Sequence, residues 1–187
     1  MAVALEDIGG ESAEPVSGLV GKVYYALHSD FETINDPKKL GDPVPANVAT
    51  TFAELVEIAT AHAFKTGKKF FQIETVTETG SIKSTPIGET GRILYQNELA
   101  VEVAGSDAEI LGFCRWIKNQ KLIILFEEFG NGNVRQLGSS RLPALAKAEH
   151  NIEPTVEGKS GATITFTDKN FSPAPIYKED IQLVAEA

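Results

Sequence analysis

LIILFEEFGNGNVRQLG, residues 122–138, admits two backbone arrangements with different consequences for the whole chain. Two glycines and two asparagines stand between apolar runs, where either a phosphate-cradling loop or a chain reversal can sit. A dinucleotide loop needs a third glycine and a following helix, and a triphosphate loop needs Gly-Lys-Ser/Thr. Neither pattern is present, and NVRQLGS beyond the turn reads as a strand. Asn131-Gly132 between two apolar segments is a hairpin signal, because both residues tolerate positive φ. The stretch predicts a structural turn with no cofactor.

On the N-terminal side of this stretch, Ser106-Asp107-Ala108-Glu109 reads as a capping box, with the Ser106 hydroxyl on the Glu109 N–H. Ile110, Phe113, Cys114 and Ile117 then repeat at helical spacing, predicting one helix over about 106–118. Gly112 inside it is tolerable where another backbone packs closely. Trp116 is read as a packing residue, and Cys114 as a small apolar residue with no nucleophilic role. GRILYQNELAVEVAG (91–105) is a long strand, with Tyr95, Leu99, Val101 and Val103 on one face and Gln96, Glu98 and Glu102 on the other.

Other strands are expected at GLVGKVYYAL (18–27), ATITFTD (162–168) and APIYKEDIQLV (174–184), with Pro143 and Pro154 breaking the segment between. KKFFQIETVTETGSIKST (68–85) reads as a hairpin turning at Glu78-Thr79-Gly80. Residues 28–49 hold Asp36-Pro37, Asp42-Pro43 and Val44-Pro45, predicting a long loop without regular structure. Residues 1–17 read as an extended arm ahead of one domain over 18–187. In TFAELVEIATAHAF (51–64), Phe52, Leu55, Val56 and Ala59 keep helical spacing. The sum is a mainly β chain, a sandwich or barrel with one flanking helix.

The net charge of −9, with scattered basic residues, argues against an electrostatic nucleic-acid footprint. Cys114 is the only cysteine, which excludes an intramolecular disulfide and a cysteine-built metal site. His28, His62 and His150 fall in no ligand-spaced motif, so no metal is expected. MAVALEDIGGESAEP lacks the parts of a signal peptide, and no run nears the roughly 20 apolar residues of a membrane helix. The expectation is a soluble protein made in a reducing cytoplasm. No catalytic motif occurs; Glu127 and Glu128 point to opposite strand faces, and Asn170-Phe171-Ser172 matters only with secretion. We expect no enzyme, no catalytic residues and no cofactor.

The block GETGRILYQNELAVEVAGSDAEILGFCRWIKNQKLIILFEEFGNGNVRQLGS, with FKTGKKFFQIET before it and LPAL, TITFT and SPAPIY after it, resembles major tail tube proteins of bacteriophages, those of phages of Bacteroidetes hosts in particular. It spans about residues 64–181. The resemblance implies a virion structural protein of the tail, assembled in the host cytoplasm. Copies would form stacked hexameric rings, with inner strands of neighbours joined around a channel. Partners would be other copies, other phage tail proteins, and DNA passing without specific binding; no membrane is involved. It also implies strand over 52–64, against the local helical spacing, and strand is the expectation we adopt. Loop 28–49 and arm 1–17 would become contacts between rings. Strand 93–103 is the candidate inner strand: Glu98 and Glu102 would face an acidic lumen, with Tyr95, Leu99, Val101 and Val103 packed on the helix. Alternatives are a tail terminator, a decoration protein or a small-molecule-binding β-barrel.

Overall fold

Leu122, Ile123, Ile124, Leu125 and Phe126 are all fully buried. Successive strand residues point to opposite faces, so such a run needs both faces of its sheet covered. The computed structural model, which describes residues 18–153 and 160–183, supplies both covers. The expected arm 1–17 lies outside the described residues.

The described chain runs through β1 (Leu19–Leu27), β2 (Phe31–Thr33), β3 (Glu57–Ile58), β4 (Ala63–Phe64), β5 (Phe71–Glu74) and β6 (Ser81–Ile87). β7 (Leu94–Ala104) leads to the helix α1 (Ala108–Ile117). β8 (Leu122–Glu128), β9 (Val134–Leu137), β10 (Leu145–Ile152), β11 (Ser160–Asn170) and β12 (Ile176–Tyr177) follow. A six-stranded sheet has the order β3-β12-β9-β8-β1-β5, and a four-stranded sheet the order β10-β11-β7-β6. β2 and β4 pair separately. The protein is thus a mainly β sandwich with one helix, as expected.

Leu122, Ile124 and Phe126 face the four-stranded sheet, meeting Leu99, Val101, Ile164 and Phe166 in the main core. Ile123 and Leu125 face away, into a second core with Phe31, Ile58, Phe70 and Tyr177. A covering layer therefore lies on the outer face of the six-stranded sheet. Phe31, Phe64 and Phe70 anchor it, with ring centroids 4.2–5.7 Å apart.

That layer corrects the reading of 28–49. The segment holds 3-10 turns at His28–Asp30 and Pro45–Asn47 and strand β2, and it buries Phe31 and Ala49. Its prolines break long elements without preventing burial. Residues 51–64 form no helix, and only fragments are strand: a 3-10 turn at Ala53–Leu55, then β3 and β4. Tertiary contacts override the local period here, because Ile58 is drawn into the second core beside β12.

The expected 68–85 hairpin is also replaced. β5 pairs with β1 in one sheet, and β6 pairs with β7 in the other. The turn signal at Glu78 is real, with φ at 64°, but the chain crosses between sheets there. The Val76 N–H donates to the Glu102 carbonyl and the Thr75 N–H to the Gly21 carbonyl, so the crossing is pinned to both sheets. β10 occupies much of the segment between the prolines, for which no strand was expected. Its Ala146 and Ala148 face inward between outward Lys147 and Glu149. The small inward residues let α1 pack along this strand. Conversely, the expected strand over 174–184 shrinks to the two residues of β12.

At α1 the cap is Asp107, not Ser106: its carboxylate accepts from the Ile110 N–H at 3.0 Å. Ile117 is buried, and Ile110, Phe113 and Cys114 pack on the main core. Burial pushes the Cys114 thiol above its ordinary pKa, disfavouring the thiolate. Gly112 has no backbone packed on it; a side chain there would enter open space. Trp116 is partly exposed, with its ring 6.2 Å from Tyr25 and 5.9 Å from Phe113. Leu99, Val101 and Val103 do share the core with the helix, but Tyr95 lies outside it.

Candidate functional site: a basic cleft held by a buried polar chain

Among the described residues the buried polar side chains are His62, Asn97, Gln136 and Asp168. All four belong to one hydrogen-bonded chain. His62 Nδ1 accepts from the Asn35 N–H at 3.1 Å, which leaves the proton on Nε2. Nε2 then donates to Gln136 Oε1 at 2.7 Å. Gln136 Nε2 donates to the Gly138 carbonyl at 2.9 Å, and the Gly138 N–H donates to Asp168 Oδ2 at 2.7 Å. Asp168 Oδ1 accepts from Asn97 Nδ2 at 2.9 Å. The chain crosses all three layers: cover, six-stranded sheet and four-stranded sheet.

Desolvation lowers the His62 pKa, with Gln136 and Asp36 pulling the other way. Desolvation raises the Asp168 pKa against the bonds from Gly138 and Asn97. Tyr177 stacks on the His62 ring at 4.7 Å and its hydroxyl accepts from the His62 N–H. Asn97 Oδ1 is buried without a partner, so the chain is satisfied at every link but this one.

The chain fixes the corner from Gly138 to Ala144, where the backbone leaves β9 for β10. Gly138 sits at φ +90°, and a Cβ there would stand 2.8 Å from the Leu122 carbonyl oxygen, so only glycine fits. His28 Nε2 lies 3.2 Å from the Ser139 carbonyl, and Ser140 donates to Asp36 through its N–H and hydroxyl. Between this corner, the cover segment after Asn35 and the turn after β11 opens a cleft of about 590 Å³.

Four cations, Lys38, Lys39, Arg141 and Lys169, and one carboxylate, Asp36, line it. Lys38 pairs with Glu54 at 2.6 Å and Lys39 with Asp42 at 2.8 Å. The Lys38 ammonium, helped by Thr50, holds the Glu54 carboxyl down at about 2. Arg141 and Lys169 have no ion-pair partner among the described residues. Leu142 and the 81% exposed Phe171 add apolar surface. The arrangement can hold a ligand carrying both carboxylates and apolar groups.

The residues singled out in the sequence lie elsewhere. Glu98 and Glu102 project from the outer face of the four-stranded sheet, Glu98 opposite Lys83 and Thr167, Glu102 opposite Thr163. Glu149 shares that face with Lys83, Lys147 and Lys169. Three carboxylates and three lysines thus share this face with a row of threonines, without an ion pair between them among the described residues, and its formal charges balance, whereas the resemblance implies an acidic surface there. Asn131 and Gly132 form the β8–β9 turn. Only Gly132 takes positive φ, +65°; Asn131 instead accepts from the Asn133 N–H at 3.0 Å. Glu128, beside that turn, pairs with Arg135 at 3.5 Å.

The polar chain has a signal in the strand sequences. Asp168 is in phase with inward Ile164 and Phe166, and Asn97 with inward Leu99 and Val101. A polar residue at an inward position of an alternating strand is a buried hydrogen-bond partner by construction. Comparison of the chain with protein-family models, with curated proteins and with solved structures gave no match.

Proposed function

We propose that the chain is a structural subunit of a bacteriophage tail tube, forming hexameric rings that stack around a channel for DNA. The observation that carries the reading is a sandwich with a flanking helix and open sheet edges, on which the block from Gly88 to Gly138 resembles tail tube proteins. β5 and β6, at the margins of their sheets, are connected to each other and each pairs on one side only. Unpaired edges template association with another chain, and closing a ring removes them. β7 remains the candidate lining strand: its outward row carries Glu98 and Glu102, and its neighbours expose threonines. A charge-balanced polar wall gives a DNA backbone no net cation to hold it, which serves passage without binding.

Electron micrographs of the purified protein test this. Rings or tubes of identical subunits are expected. Single rings that never stack favour a terminator, and a protein that stays monomeric at high concentration with its tail partners present defeats the reading.

A further inference from the structure

Tyr25 and Phe71 are cross-strand partners on β1 and β5, with their rings stacked at 5.7 Å. From α1, Phe113 and Trp116 set their rings edge-on to Tyr25 at 5.4 and 6.2 Å. The cluster is not sealed: Phe71 is 48% exposed and Trp116 40%. All four rings line a pocket of about 480 Å³ between α1 and the β1–β5 pair, within the range of about 300–1,000 Å³ typical of small-ligand sites. Gly112 lines it too. A glycine inside a helix weakens the helix, and packing does not demand this one, since a Cβ there meets nothing within 4 Å. Its missing side chain keeps the pocket open.

The polar groups of the pocket are Asp30 and Lys68. Asp30 is set by the turn before β2, where its carbonyl accepts from the Lys65 N–H at 2.9 Å. Its carboxylate lies 3.4 Å from the Lys68 ammonium. A charge-assisted hydrogen bond closes to about 2.7–2.9 Å, so both groups keep capacity for a third partner. Their charges offset each other, and a ligand cation meets the ammonium just as a ligand anion meets the carboxylate. A hydroxyl both donates and accepts, and a pair of hydroxyls satisfies the two together. We propose that the pocket binds a neutral sugar, a pyranose ring of a mono- or oligosaccharide. Its C–H faces lie on Tyr25, Phe71 and Trp116, and adjacent hydroxyls lie on Asp30 and Lys68. Aromatic faces are the negative part of the ring quadrupole and attract the positive C–H edges of such a ring. The aromatic rings already hold one another in place, so little ordering is required on binding. The pocket is complete within one chain, so the site stands whether or not subunits form tubes.

Trp116 is the only tryptophan of the chain, so its emission reports on this pocket alone. The full-length protein is titrated with maltose, cellobiose, lactose and N,N′-diacetylchitobiose, with tetramethylammonium chloride and sodium benzoate as cation and anion controls. A saturable change with at least one disaccharide, and with neither salt, is expected. Gly112→Leu fills the pocket from the helix side and is expected to abolish the response, with its thermal melt at or above that of the parent. Asp30→Ala is expected to weaken sugar affinity roughly tenfold, read by calorimetry as well as by emission. No saturable response to any of the four sugars overturns the proposal, as does saturation by either salt. Sugar binding that survives Gly112→Leu, or an affinity unchanged by Asp30→Ala, overturns it equally.

Discussion

His62 Nε2 and Gln136 Oε1 lie 2.7 Å apart, and the ring's other nitrogen accepts a backbone N–H. The imidazole is thereby held neutral, since a second proton would meet the Asn35 N–H head-on. With the folded-state pKa below the ordinary 6.5, the unfolded chain binds the proton first as pH falls. Stability is full above about pH 6.5 and drops below it, by up to about 1.4 kcal/mol per pH unit, until the folded-state value is reached. Urea titrations across this range check it, with His62→Gln expected to flatten the slope. Equal slopes in the two proteins contradict the account.

Asp168 acts with the opposite sign. Its raised folded-state pKa means that ionising it costs stability, a cost relieved as pH falls through that value towards 3.8. Removing it is nonetheless worse than keeping it. Asp168→Ala leaves the Gly138 N–H and Asn97 Nδ2 without their acceptor, at about 2–4 kcal/mol. Denaturation at pH 7 measures it; a loss under 1 kcal/mol would place the chain of bonds among the dispensable features.

Two glycines are expected to respond in opposite directions to alanine. Gly138→Ala meets the Leu122 carbonyl and the Ala144 nitrogen at positive φ, and is expected to cost about 3 kcal/mol or block folding. Gly112→Ala enters open space on a helix and is expected to gain up to about 1 kcal/mol. Thermal melts of both variants suffice, and destabilisation by Gly112→Ala would show that the helix needs that open space.

At the β8–β9 turn, Gly132→Ala is expected to cost about 1 kcal/mol through its positive φ. Asn131→Ala loses only an exposed side-chain bond and should cost less. Replacing both is expected to lower folding yield. Nucleotide binding lost with the fold intact would instead revive the phosphate-loop interpretation.

Glu98→Lys with Glu102→Lys turns the balanced outer face strongly cationic. In the tube reading, assembly survives and the channel retains DNA, released by salt. Filter retention of DNA by assembled variant and parent decides it; no gain in retention removes these two residues from the channel wall.

Alternation and turn chemistry made much of the fold legible: β1, β7, β8, β9 and α1 follow from apolar period alone. What was lost depended on partners distant in sequence. The segment from Thr51 to Phe64 has helical spacing, yet Ile58 and Phe64 are claimed by the second core, which no local window contains. β10 was hidden because alanine is a weak strand former, although Ala146 and Ala148 alternate with Lys147 and Glu149. The cleft was invisible for a related reason. Arg141 and Lys169 meet only because Gly138 turns the corner and Asp168 holds it, and neither step is written in spacing.

The pairing of β1 with β8 also sets a timetable for synthesis. Tyr25 lies opposite Ile124, so the first strand is made about a hundred residues before the neighbour that completes the central sheet. At about 5–20 residues per second, the ribosome leaves β1 waiting roughly 5–20 s. β5 can pair with it early, but the pair lacks the Leu122–Phe126 run that both cores are built on. The growing chain is therefore expected to have no stable intermediate sheet to rest in, and to fold only once β8 and the strands after it have been made. Stalled chains ending before Leu122 should be cut by protease as readily as unfolded ones, and those reaching past Tyr177 should resist.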